Sequence, residues 1–285
     1  MPDTRVITNG IRRCEFADYH AAKTRQYIDK TMASGADIFS VLQACSILSW
    51  FFYTEGRWVE VWIFCGFQVR VAIPLRLNHT KTYSNHGSAS PGAYILPPKN
   101  QKDLEMRRRT WWMSIIFDRL VSVGGWIHAI EKDRIITELP LRRVDYEQGV
   151  RCTAKPRRTY LLLCFLLQRQ MPDNPQTMQS PDFYTIHPEE YTDSFNLFLK
   201  SVMLFGLITD INTDYNLSFP ESPKRTDDPY DRPGFAFLDK LAAEDFLASL
   251  PPQYQHIIVR DPFNEDNLEF RIDNDQYMVH MVPHG

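Results

Sequence analysis

Three aspartates in the sequence have the types and spacing of a metal site. Asp227, Asp228 and Asp231 spell D-D-x-x-D, a carboxylate cluster that can hold Mg²⁺ and a diphosphate when a regular helix carries it. Pro229 and Pro233 interrupt any helix at this point. The pattern therefore favours a solvated acidic loop over a metal-dependent active site.

The remaining candidates for chemistry are histidines and cysteines. His280 and His284 have the four-residue spacing of zinc ligands on a helix, but Pro283 lies between them and no Glu follows the first His. The five cysteines are odd in number, form no C-x-x-C pair and mostly lie in apolar runs, which is typical of reduced core cysteines: Cys14, Cys45, Cys65, Cys152 and Cys164. Without a G-x-S-x-G, P-loop or dinucleotide motif, we predict no catalytic, cofactor-binding or metal residue.

Composition and charge favour a globular protein that does not bind DNA directly. Hydrophobic residues make up 44% and charged residues 24% of the 285 positions, and the formal net charge is −3. A module that neutralises many phosphates is normally basic. The longest unbroken apolar run, at residues 160–167, is too short to span a bilayer.

The element with the most informative charges is a predicted helix that starts near residue 101. Asn100 and Asp103 form a plausible cap pair, and Glu105 stands four residues before Arg109, which favours an ion pair within the helix. Apolar residues recur from position 112 to 123 at helical spacing, and glycines at 124 and 125 predict its end. Arg108, Asp118 and Arg119 lie on or beside the face that carries Trp111 and Trp112, so we expect partners for these buried charges, including guanidinium stacking on indole. A structural network is favoured over a ligand site.

An antiparallel pair of apolar helices is predicted upstream. Asp37 can cap a helix that ends at Gly56, and a second helix runs from about Trp58 until Pro74 ends it. A short glycine turn between two apolar helices favours a hairpin.

Residues in these two regions resemble the signature of the fungal-specific transcription factor domain. That domain is the regulatory middle region downstream of the Zn2Cys6 binuclear cluster in fungal regulators. The residues that match in the hairpin are Gln43, Ala44, Gly56, Arg57, Trp62, Gly66, Arg70 and Ala72. Those that match in the later helix and the segment after it are Glu105, Arg108, Arg109, Trp111, Trp112, Asp118, Arg119, Ser122, Gly125, Ile130, Asp133, Ile135, Leu139 and Pro140. The family's Arg-Pro after the glycine is replaced by Trp126-Ile127, and its glycine after Leu75 is replaced by Arg76.

The predicted fold class is all-α, a multi-helix bundle of antiparallel hairpins joined by Pro-rich loops. Residues 1–35 form an N-terminal extension with a candidate helix from about Cys14 to Met32. Residues 36–251 form the regulatory domain, with further helices at 160–167, at about 188–208 and at about 235–250 and with a loop at 213–234. Residues 252–285 are interpreted as a truncated C-terminal part of the same domain.

The resemblance implies a regulatory, non-catalytic domain of a fungal transcription regulator, located in the nucleus and controlled by intramolecular, inducer or partner contacts. One alternative is a metabolite-binding sensor with a pocket lined by Trp62, Arg70, Arg108, Trp112 and Arg119. Another is an all-α, terpene-synthase-like enzyme that uses the aspartate cluster, which the prolines disfavour.

The expected partners are a second copy of the chain, other transcription regulators or a small-molecule inducer, with no membrane. The zinc and the DNA-binding function belong by family to a separate cluster that has no counterpart in this sequence. The basic residues Arg151, Lys155, Arg157 and Arg158 favour a solvated helix end over a nuclear-import signal.

Overall fold

The structure is a computed structural model that describes residues 5–8, 11–35, 37–78, 95–96, 98–122, 128–131, 134–135, 137–148, 181–218 and 228–255. The chain divides into two compact units. The N-unit comprises residues 1–77 and 82–97, and the C-unit comprises residues 78–81 and 98–285. The predicted domain boundaries at residues 35 and 251 stay predictions.

The N-unit consists of a small hairpin followed by three helices. Strands β1 (Arg5–Thr8) and β2 (Ile11–Cys14) pair antiparallel, and α1 (Glu15–Ser34), α2 (Ile38–Thr54) and α3 (Trp58–Ala72) follow. The two strands, which are four residues each, were not predicted from the sequence. All three predicted helices are confirmed, each within about two residues of its expected ends.

The two apolar helices of the N-unit pack on each other around a small polar bridge. Gly56 takes a φ of 67° in the turn between α2 and α3, a conformation that glycine adopts without strain. Gln68 of α3 is fully buried, donates to Ser49 Oγ at 2.7 Å and accepts from Ser46 Oγ at 2.8 Å. This bridge satisfies polar groups that would otherwise be costly to bury and so fixes the register of the pair.

The C-unit is built around two long helices that pack together. They are α4 (Gln101–Val121) and α7 (Ser194–Ser218), and their contact includes a close approach of the Arg119 side chain to Gly206. Between α4 and α7 the described residues include two short helices: α5 (Arg143–Glu147) and α6 (Pro181–Thr185). The predicted glycine stop of α4 at 124–125 and the predicted helix at 160–167 lie outside the described residues.

The predicted start of α7 at Pro188 is wrong. Residues Glu189–Tyr191 form only a 3₁₀ turn, and Thr192 is extended. Asp193 then accepts from the amide of Asn196 at 2.9 Å, so it is the N-cap that begins α7 at Ser194. The end of α7 at Ser218 also overturns the loop predicted to start at residue 213.

The last described helix contains a change of pitch. α8 (Phe235–Lys240) continues through a π-helical turn (Leu241–Asp245) into α9 (Phe246–Ser249), and 3₁₀ turns flank it at Pro229–Asp231 and Pro252–Tyr254. A π-turn adds a residue to the helical repeat. Leu241, Phe246 and Leu250 are all buried in spite of this shift.

The fold class is all-α, as predicted, because helices supply the core of both units and the β structure of the described residues is one short hairpin. The predicted Pro-rich loops fall only partly within the described residues, where Pro181–Thr185 is helical and Pro229–Asp231 forms a 3₁₀ turn. The stretch Ser194–Ile211 of α7 is long and apolar enough to cross a membrane, but 61% of it is buried inside the protein, as in the core helix of a globular protein.

Candidate functional site

The charges predicted to lie within the apolar pattern of α4 form a network with the segment that follows this helix. The helix begins as predicted: Asn100 Oδ1 accepts from the amide of Asp103 at 2.8 Å, and Asp103 accepts from the amide of Lys99 at 2.9 Å. This reciprocal cap fixes the first turn, which in turn sets the direction of each side chain beyond it. We call α4 together with residues 128–142 the α4 clamp.

Glu105 joins the N-terminal part of α4 to the last residues of the clamp. Its side chain is 2% exposed, and its carboxylate accepts from Arg108 Nη1 at 2.6 Å and from the amide of Leu141 at 2.8 Å. Arg109 Nε lies 3.3 Å from Glu105 Oε1, the oxygen that also accepts from Leu141, which confirms the predicted ion pair. A buried carboxylate is stable only when it is paired and hydrogen-bonded in this way.

Glu138 is held at both its side chain and its main chain. Arg108 Nη2 donates to the Glu138 carboxylate at 2.5 Å, and Trp112 Nε1 donates to the Glu138 carbonyl at 2.7 Å. Trp112 is fully buried. The indole thus supplies core volume and one main-chain hydrogen bond.

Arg109 closes the clamp by stacking and by a main-chain contact. Its guanidinium donates to the Leu141 carbonyl at 2.5 Å and lies 4.8 Å from the Tyr146 ring and 5.5 Å from the Phe195 ring. Stacking of an arginine on an aromatic ring was predicted, but on indole. In the structure the rings come from α5 and α7, because those elements cover this side of α4.

Asp118 and Arg119 join the C-terminal part of α4 to the first residues of the segment that follows it. Asp118 accepts from the amides of Ala129 at 2.9 Å and Ile130 at 3.2 Å and pairs with Arg119, whose Nη2 donates to the Ile130 carbonyl at 2.8 Å. Burial raises the pKa of the Asp118 carboxyl, and the Arg119 charge and the two amides oppose that rise. The Asp118–Arg119 pair therefore binds the main chain at Ala129 and Ile130, and its polar groups point into the protein. We call this contact the clasp.

Trp62 and Arg70, the other two predicted site residues, lie elsewhere. Both are on α3 in the N-unit and both are exposed, Trp62 to 38%. The structure thus brings together seven of the predicted residues on α4: Glu105, Arg108, Arg109, Trp111, Trp112, Asp118 and Arg119. Their assignment as structural or inducer-sensing residues stays a prediction.

The C-unit contains a second polar cluster that was not predicted from the sequence. Lys200 Nζ lies 2.8 Å from the Ile186 carbonyl and 3.2 Å from His187 Nδ1, and His187 Nε2 lies 3.0 Å from Ser249 Oγ. The signal that could have revealed it is the position of Lys200, the one charged residue in the apolar stretch 194–209.

The predicted metal candidates are only partly within the described residues. Asp228 accepts from the amide of Tyr230 at 2.9 Å, and Asp231 ends a 3₁₀ turn, so these two carboxylates do not share a regular helix. Asp227, His280 and His284 lie outside the described residues. Among those that are described, no three His, Cys, Asp or Glu side chains group as metal ligands. Cys45 and Cys65 are buried, and burial raises the pKa of the Cys45 thiol to about 12.

Residues 13–149 match the family model of the fungal specific transcription factor domain. The match includes α1–α5 and the whole α4 clamp. It ends before α6–α9, whereas the resemblance seen in the sequence extends over these helices. No curated protein and no solved structure matches the chain. The chain therefore carries a fungal specific transcription factor domain at residues 13–149, which indicates a fungal transcription regulator.

Proposed function

We propose that this chain is the regulatory, non-catalytic part of a fungal transcription regulator and that it acts in the nucleus by contacts within the chain, with a partner or with an inducer. The observation that carries the proposal is the α4 clamp. Glu105, Arg108, Asp118 and Arg119 all bind groups of their own chain, so this charged helix works as an internal fastening. A domain held by such a fastening can change state when the fastening is released.

The clamp favours this role over the sensor and the enzyme. A pocket for a metabolite would need free donors, but Arg108 and Arg119 donate to a carboxylate and a carbonyl of the same unit, and Trp112 donates to the Glu138 carbonyl. General acid or base catalysis would need a titrating group that can reach a substrate. The clamp carboxylate of Glu105 is instead buried and fully engaged.

The charge of the chain supports a role through partners. At a net charge of −3 we expect no strong affinity for nucleic acid phosphates. By family, a zinc cluster in the same regulator would supply DNA binding. We therefore place this chain on the regulatory side of the protein and not at the DNA.

A reporter assay tests the proposal. The chain is inserted between a heterologous DNA-binding domain and an activation domain, and reporter activity in yeast is compared with that of an unrelated helical spacer of equal length. We expect lower activity with the chain than with the spacer. Glu105→Gln should raise it, because a neutral amide loses the ion pairs with Arg108 and Arg109 and leaves one oxygen for the Arg108 and Leu141 donors that now share the carboxylate.

The matched control is Glu131→Gln in the same clamp. Glu131 has a side chain that is 73% exposed and lies 3.8 Å from Arg134, so its loss should leave the reporter unchanged. Immunoblots must show equal amounts of each fusion. Equal activity of chain and spacer, with no effect of Glu105→Gln, would refute the proposal.

A further inference from the structure

Lys200 is a buried amine that forms no ion pair with any carboxylate of the described residues. Its residue is 6% exposed, and its Nζ lies 5.2 Å from the centre of the Phe183 ring. Its hydrogen-bond partners among the described residues are the Ile186 carbonyl and His187 Nδ1, and no described carboxylate pairs with it. An ammonium ion taken out of water without such a pair is strongly destabilised.

The number of acceptors around Lys200 fits a neutral amine. A neutral amine has two N–H groups, and the structure offers them two acceptors, at 2.8 Å and 3.2 Å. An ammonium would add a third N–H, for which the described residues give no oxygen or nitrogen acceptor and only the Phe183 ring lies nearby. Burial accordingly lowers the pKa of Lys200 to about 7.

The donor from Lys200 sets the direction of the remaining hydrogen bonds. Because His187 Nδ1 accepts from Lys200, its proton is assigned to Nε2, which donates to Ser249 Oγ at 3.0 Å. Ser249 Oγ then donates to the Phe246 carbonyl at 2.7 Å. Burial, with the nearby Lys200, lowers the pKa of His187 to about 3. The chain of bonds joins residues 181–188 to α7 and α9.

This arrangement does not fit a nucleophile relay. In such a relay a carboxylate stabilises the imidazolium that forms when histidine takes the serine proton. Here the third group is an amine, and a charge on it would oppose the imidazolium. We therefore exclude serine activation as the role of the cluster.

Among the described residues, few other titratable groups lie on the elements around the cluster. Asp182 on α6 and Glu244 in the π-turn are exposed, and Asp245 pairs with Lys240 on the surface. Burial raises the pKa of the Tyr184 hydroxyl, and Arg119 of α4, which is paired with Asp118, partly offsets that rise. Proton uptake near neutral pH therefore falls on Lys200 and, in acid, on His187.

We propose that Lys200, His187 and Ser249 form a pH-sensitive latch that holds residues 181–188 against α7 and α9, and that proton uptake by Lys200 releases this segment. Two aromatic side chains of the segment, Phe183 and Tyr184, are fully or almost fully buried while the latch is closed. Release would expose them. According to this proposal, the C-unit responds to pH by binding a proton at Lys200. The proposal does not depend on the proposed role in transcription.

The direction of the effect follows from proton linkage. Lys200 has a pKa of about 7 when docked and an ordinary value of 10.5 when released, so between these values only the released state is protonated. The opening constant of the segment should therefore rise about tenfold for each pH unit of decrease from the upper value to the lower one, and then level off.

Hydrogen exchange measures this opening directly. Amide exchange of residues 181–188 in the full chain is followed by mass spectrometry at pH values of about 7, 8 and 9 and corrected for the intrinsic rate at each pH. The wild-type chain should open about tenfold more for each unit of decrease. Lys200→Met should lose this dependence, because it has no amine to titrate. Lys240→Met, which removes a surface lysine paired with Asp245, should keep the wild-type slope.

A flat wild-type profile, or the same slope in Lys200→Met as in the wild type, would overturn the proposal. A measurement on the wild-type chain covers the case in which Lys200→Met fails to fold. With ¹³C at lysine Cε, one lysine signal should titrate near neutral pH, as the lowered pKa of Lys200 requires. Finding no lysine signal that titrates near neutral pH would equally overturn the proposal.

Discussion

Trp111 and Trp112 are neighbours on α4 that differ in one hydrogen bond. Both are fully buried. The indole of Trp112 donates to the Glu138 carbonyl at 2.7 Å, whereas Trp111 Nε1 has no hydrogen-bond partner among the described residues. An unpaired buried donor is costly, so Trp111 contributes by its volume and Trp112 by volume and bonding.

This difference gives a matched pair of substitutions. Trp112→Phe should lower the free energy of unfolding by about 1 to 2 kcal/mol more than Trp111→Phe, because only the first leaves a carbonyl without its donor. Both changes remove a similar volume from the core. Urea unfolding followed by circular dichroism measures the two losses. Equal losses would show that the Trp112 hydrogen bond adds no net stability.

The sequence allowed some partners of the clamp to be predicted and not others. The Glu105–Arg109 pair was predictable because residues four apart on a helix are neighbours. Glu138 and the amides of Ala129 and Ile130 were not, because they come from an irregular segment whose path has no periodic signal. Sequence periodicity thus indicated that the charges point inward, and only the fold shows what they bind.

At the level of elements, Gly206 sets how closely α7 approaches α4. A Cβ added at Gly206 would lie 2.6 Å from Cδ and 3.0 Å from Nε of Arg119. Arg119 cannot move freely, because its guanidinium is held by Asp118 and the Ile130 carbonyl. A side chain at position 206 must therefore separate the helices or break the clasp.

Gly206→Ala should accordingly lower the free energy of unfolding by about 1 to 3 kcal/mol, the usual range for overpacking. Gly66→Ala in the middle of α3 is the control, since a Cβ there meets nothing within 4 Å. Alanine is the better helix former, so this change should stabilise the chain by up to about 1 kcal/mol. Thermal unfolding of both variants checks the opposite signs. A neutral Gly206→Ala would mean that Arg119 yields without cost.

Element boundaries were predictable where a capping residue and apolar periodicity agreed. This holds for α2, with Asp37 as N-cap, and for α4, with Asn100. It fails for α7, because Pro188 and the two acids after it resemble a helix start, while Asp193 is the actual N-cap. The π-turn in Leu241–Asp245 has no sequence signal of its own, since it depends on packing on both sides.

On the scale of the whole molecule, helical periodicity predicted the fold class, whereas the family signature did not predict the division into two units. The helical spacing of the apolar residues predicted the all-α class correctly. The division into two units was not predicted, because the hairpin of α2 and α3 and the α4 clamp both belong to the family signature. A family signature reports relatedness along the chain, while compact units depend on which helices pack together.

The buried cluster also affects the stability of the whole chain in acid. The pKa of His187 is about 3 in the folded chain and 6.5 ordinarily, so between these values only the unfolded chain is protonated at this residue. Stability from the neutral imidazole is complete above the ordinary value and is lost as the pH falls toward the folded one. The contribution of Lys200 changes only above a pH of about 7, so the acid range isolates His187.

We therefore expect His187→Gln to make the free energy of unfolding less dependent on pH in the acid range. Between pH 6.5 and about 3, the wild-type free energy of unfolding should fall faster than that of His187→Gln by about 1.4 kcal/mol for each pH unit. His20→Gln, at an exposed position on α1, should keep the wild-type slope. Urea unfolding at a series of pH values measures all three slopes. If His187→Gln followed the wild type throughout, the buried imidazole would have to be protonated in the folded chain, and the hydrogen-bond direction assigned to the latch would be wrong.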